Sequence, residues 1–163
     1  MLGFTEQTTV TLVDVSTAGL DYQQYLIEMW DGDLDNYRDI SKQYQIAHPE
    51  YRYAWREWNG WDNEVSSFLV SSNITKQEFK LLWQQYQNLQ HNFVTADLLN
   101  DHDCLVRSGK TYIWLSNAFD MQYTRFMFGK KHTTAKFNEL LDRLKSTDGV
   151  YLIESCGKFY NVN

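Results

Sequence analysis

Val10-Thr11-Leu12-Val13-Asp14-Val15-Ser16 is a run of β-branched and apolar residues that stops abruptly at an acid and a hydroxyl. Such a run reads as a short buried strand. A helical pattern from Ala18 to Trp30 follows at once, and strand-then-helix is the elementary step of an open α/β sheet. In such sheets the ligand crevice lies outside the carboxyl ends of the strands, where polar side chains stand clear of the core. Asp14 has that position. The same pattern recurs in Phe93-Val94-Thr95-Ala96-Asp97 and in Tyr112-Ile113-Trp114-Leu115-Ser116-Asn117. Val150 to Glu154 gives a fourth strand, and Phe159 to Val162 a short antiparallel return. Strands alternating with helices predict an α/β fold, a three-layer Rossmann-like arrangement with a mainly parallel sheet flanked by helices.

Between the strands, helical spacing is clearest at Leu20, Tyr22, Tyr25, Leu26, Met29 and Trp30, with Thr17 as the expected N-cap. Asp31-Gly32-Asp33 should close that helix, glycine tolerating the left-handed turn. A polar helix is expected over Asn36 to Ala47, before Pro49, the only proline. Val65 to Val70 fits a strand or a helix equally well. Thr75 with Glu78 has the form of a capping box, for a helix through Leu89 whose stripe is Phe79, Leu82, Trp83, Tyr86 and Leu89. Later helices are expected over Asp120 to Phe128 and, after Gly129-Lys130-Lys131, from a cap at Thr133 or Thr134 to Lys145. The chain reads as one domain, residues 1–163, with an irregular aromatic-rich insertion at about 31–72.

A hydrophobic share of 43% in 163 residues is enough for a packed core and argues against disorder. The formal charge of −6 makes nucleic acid an unfavoured partner, since phosphate binding is largely cationic, although an acidic total is compatible with a local basic patch. Cys104 and Cys156, the only cysteines, are expected as reduced thiols. No leader pattern precedes the first strand, and no apolar run approaches the roughly 18 residues of a membrane span. A soluble cytoplasmic protein, not a membrane one, is the expectation.

Candidate chemistry gathers at the strand ends. Asp14 reads either as a turn or helix-cap former, or as an acceptor for a ribose diol. Asp97 has the same two readings, its carboxylate being able to accept from an exocyclic amine. Ser116 and Asn117 offer a hydroxyl and an amide at the third strand end. His102-Asp103-Cys104, with His91 nearby, contains metal-ligand residue types but no zinc spacing, so a polar surface loop is expected and no metal. His48, His132 and the pair Lys130-Lys131 read as solvated. The block Tyr51 to Trp61 holds five aromatic side chains with Arg52 and Arg56 between them. It reads as packing or as a stacking surface for bases or sugars.

VDVS followed by a helix, FVTADLL, YIWLSNAF followed by a helix, and GVYLIES resemble the second to fifth strands of a class I S-adenosylmethionine-dependent methyltransferase domain. The resemblance covers about residues 9–160. It implies that Asp14, with Val15 beside it, binds the cofactor ribose, that Asp97 and Leu98 meet the adenine, and that Ser116 and Asn117 line the methyl-acceptor pocket. The partner it implies is a nucleotide-type small molecule. The family's first strand and glycine-rich loop have no counterpart, so a truncated or inactive relative is expected. In the family that strand lies between the strands ending here at Asp14 and Asn117. Its loss would leave two inner edges, which either close directly on each other in a monomer or are completed by a second copy, and a homodimer is the expectation. The alternative is a non-catalytic interaction module that binds a protein, a sugar or single-stranded nucleic acid through segment 51–61.

Overall fold

The computed structural model describes residues 8–51, 61–98, 100–101, 105, 110–115, 129–155 and 158–161. The chain divides into two compact units, Met1–Leu12 with Ser16–Phe93, and Val13–Val15 with Val94–Asn163. Helices and strands are mixed, and the fold class is α/β.

The first unit is built on helices α1 (Thr17–Met29), α2 (Tyr37–Ala47), α3 (Trp61–Ser72) and α4 (Lys76–Gln87), with a 3-10 turn at Pro49–Tyr51. Its core is Tyr22, Leu26, Trp30, Leu34 and Tyr44, and Val65, Leu69, Phe79 and Trp83 pack against it. Aromatic pairs hold it: Trp30 meets the Tyr37 ring edge-on at 5.0 Å and the Trp83 ring at 4.8 Å. Among its described residues, segment 31–72 carries α2, the expected helix, and α3, and both share the core of α1 and α4. Val65 and Leu69 are one helical turn apart, and that common face settles the strand-or-helix question in favour of helix.

The end of α1 shows how closely this unit is fitted. Its last turn carries no basic residue, yet its terminal carbonyls need donors. α4 supplies them: Trp83 Nε1 donates to the Trp30 carbonyl at 2.8 Å, and Gln87 Nε2 to Ile27 and Trp30 at 2.6 and 2.9 Å. Gly32 turns the chain at φ +81, and a Cβ there would stand 2.7 Å from Trp83 Cδ1. The loop that follows is tied by its own acids, Asp31 accepting from the Asp33 amide at 3.1 Å and Asp33 from the Asp35 amide at 3.0 Å. Lys80 reaches Asp31 at 2.6 Å, and Lys76 pairs with Asp35. At the start of α4 the capping box forms as expected, Glu78 N donating to Thr75 Oγ1 at 3.1 Å and Thr75 N to Glu78 Oε2 at 2.7 Å. The N-cap position of α1 falls on Ser16, not Thr17, and makes no side-chain cap bond.

The second unit contains β3 (Thr111–Trp114), α5 (Lys130–Lys145), β4 (Val150–Ser155) and β5 (Lys158–Asn161). β3 and β4 run parallel with Ile113 opposite Ile153, and β5 returns antiparallel to β4. Thr133, Phe137, Leu140, Leu141 and Leu144 fall on one face of α5. The leucines are buried with Ile113, Leu115, Val150 and Ile153. Thr133 does not cap the helix. It is buried within it and donates to the Gly129 carbonyl at 3.1 Å. The N-cap lies at Gly129, four residues before Thr133, because Thr133 belongs to the core-facing stripe and Gly129, at φ +79, makes the turn into the helix.

β1 (Thr9–Asp14) and β2 (Gln90–Thr95) form a two-stranded sheet. They run parallel: Thr9 bonds Gln90 through their side chains at one end, and the Ala96 amide donates to the Asp14 carbonyl at 3.0 Å at the other. Both strands are half-buried along their middles and exposed at first and last residues, where a buried strand was expected for β1. The second sheet has the order β3-β4-β5. β1 and β2 are therefore both edge strands of their sheet, and β3 and β5 are the edges of the second. Helix 120–128, the pair Ser116-Asn117 and residues 52–60 of the aromatic block lie outside the described residues. Among the described residues, no helix is long and apolar enough to cross a membrane.

Candidate functional site

Parallel pairing puts the carboxyl ends of β1 and β2 side by side, and both belong to the second unit. Asp14 is the last residue of β1, and Asp97 stands two residues beyond the end of β2. The Ala96-to-Asp14 backbone bond lies between them in sequence register. Both acids are exposed, whereas Ala96 is buried and pins this corner to the fold. Two of the predicted site residues are therefore brought to one sheet edge by backbone geometry alone.

Asp97 also shapes its own loop. Its carbonyl accepts from the amides of Asn100 at 2.9 Å and Asp101 at 2.7 Å, and its Oδ2 accepts from Asn100 Nδ2 at 2.7 Å. Asp97 is thus a turn former in its own loop. Val15 is 73% exposed, while Leu98 packs partly buried against the core of the second unit. Leu98 backs the loop from inside, and Val15 stands on the open side. Ser116 and Asn117 lie outside the described residues. Leu115, immediately before them, is buried.

A second concave site lies wholly in the first unit and was missed from the sequence. It is an open cleft of about 410 Å³ between α1 and the end of α2, lined by the carboxyl groups of Asp21, Glu28 and Glu50 with Tyr25, Tyr44 and His48. Asp21 and Glu28 are seven residues apart, two turns on one face of α1, a spacing legible only once α2 is known to lie against that face. His48, expected to be solvated, stacks on the Tyr44 ring at 4.3 Å and meets Glu50 Oε1 at 3.2 Å. Glu28 accepts from Gln24 Nε2 at 2.8 Å. The Tyr44 ring is covered from three sides, by His48, by Tyr25 at 4.9 Å and by Tyr22 at 5.1 Å. The cleft therefore combines acidic side chains with aromatic rings.

Among the described residues, no group of three or more His, Cys, Asp and Glu side chains is arranged to hold a metal ion. Compared with protein-family models, with curated proteins and with solved structures, the chain matches none.

Proposed function

We propose that this chain is a three-layer, Rossmann-like domain of the S-adenosylmethionine-dependent methyltransferase type. It binds a nucleotide-type small molecule at the carboxyl edge of β1 and β2. The observation that carries the reading is the pair of exposed acids, Asp14 and Asp97, at the ends of adjacent parallel strands. Ligands of open α/β sheets bind outside this edge, and an acid there accepts from ribose hydroxyls. Asp14 takes the diol, and Asp97 accepts from the adenine amine. The cofactor supplies an electrophilic methyl group, and the part of these residues is to hold its nucleoside.

Isothermal titration with S-adenosylmethionine and S-adenosylhomocysteine tests this. Both should bind, and Asp14→Ala or Asp97→Ala should weaken each by about 1–3 kcal/mol, the cost of leaving one hydrogen-bonding group without its partner. The melting temperature should barely change, since both side chains are exposed. Folded protein that gives no heat with either ligand sinks the reading. A second reading, a non-catalytic interaction module, is favoured by Tyr112 and Trp114, which alternate on β3 and are 50% and 75% exposed. Large apolar groups grouped in the open mark contact surfaces.

A further inference from the structure

We propose that His91 is an acid-release latch at the turn between α4 and β2, seating the start of β2 on α4 while its Nε2 is unprotonated. His91 is the second residue of β2 and lies three residues past Asn88, the C-cap of α4. Its ring crosses that of Tyr86, on α4, at 4.7 Å and 69°, and lies nearly parallel to that of Phe93 at 6.5 Å. Nε2 is shut off from solvent with no hydrogen-bond partner. A neutral imidazole tolerates this, presenting only a lone pair. A protonated one places a charged N–H where nothing accepts it, which is costly in a closed apolar setting. The titratable group whose ring meets His91 from α4 is Tyr86, itself held neutral by burial, and no charged group offsets the effect of burial on His91. His48 differs in having Glu50 beside it.

Burial lowers the pKa of His91, so the unfolded or unseated form takes up the proton first. Stability at this turn is therefore full above the ordinary histidine value of about 6.5 and falls as pH drops through it toward the lowered folded value. The latch does not depend on any ligand. An NMR titration of the His91 imidazole in the intact chain should show a midpoint below that ordinary value. Amide exchange at Gln90–Phe93, corrected for intrinsic chemistry, should rise several-fold as the pH is lowered through the same range. His91→Phe, or His91→Gln should the first variant fold poorly, should flatten that rise. A wild-type midpoint at or above the ordinary value, or exchange that ignores pH, overturns the proposal even if neither variant folds.

Discussion

Gly32 and Asp31 carry the most local information of any residues in the first unit. A side chain at Gly32 meets two penalties, a left-handed backbone at φ +81 and the Trp83 ring across the place of the Cβ. Gly32→Ala should therefore cost about 2–4 kcal/mol in urea denaturation, strain and overpacking adding. Asp31 is held below the usual carboxylate range first by its hydrogen bond from Lys80 and then by the Asp33 amide. The lowered value belongs to the folded state, so this contribution is present above the ordinary carboxyl pKa of about 3.9 and is lost as pH falls through the folded value. Lys80→Met should make the acid limb of the stability curve shallower in that window, with a small effect at neutral pH, since the pair is half in solvent. Equal acid limbs in wild type and variant would leave the ion pair without a role in stability.

Among the elements, α4 does the most to organise its unit. Its capping box fixes where it begins, its apolar residues Phe79 and Trp83 face the core, and Trp83 and Gln87 close the end of α1. Thr75→Ala removes the acceptor for the Glu78 amide and should lower stability by about 1 kcal/mol, read as a shifted denaturation midpoint at constant slope. The bond from the Thr75 amide holds the Glu78 carboxyl below its ordinary range, with help from the Thr75 hydroxyl. That half of the box is therefore also lost in acid. By contrast, α1 begins at Ser16 without a side-chain cap, and its stability rests on the Tyr22, Leu26 and Trp30 face. Helices stabilised by packing more than by their ends are the common case.

Among the described residues of the whole chain there are two cores, one of aromatic side chains between helices and one of leucine and isoleucine between α5 and the sheet. β1 and β3 stand at sheet ends, where a strand from another copy can add. The exposed Tyr112 and Trp114 on β3 offer large apolar surface beside it. A homodimer is the expected state, and light scattering at micromolar concentration should give twice the chain mass. A stable monomer that still binds S-adenosylmethionine would separate ligand binding from assembly.

Periodicity by itself determined most of the elements. The run ending at Asp14, the Tyr22, Leu26 and Trp30 face of α1, the Phe79 and Trp83 face of α4 and the Thr75–Glu78 cap are local patterns, written in residue spacing that backbone geometry must obey, whereas Met29 and Leu82, expected in those stripes, are exposed. The placement of Asp14 and Asp97 at one edge was also legible, since an acid just after a parallel strand can only stand at its carboxyl end. Other features were decided by tertiary structure. Val65–Val70 became helical because one face meets a core made by distant α1 and α4. Thr133 moved inside its helix because α5 needs that position for its buried stripe. The acidic cleft exists only where α2 lies against α1, and the Nε2 of His91 is closed off only because the chain turns back between Tyr86 and Phe93. Spacing along a chain fixes which side chains share a face, whereas what that face meets depends on contacts between residues far apart in sequence.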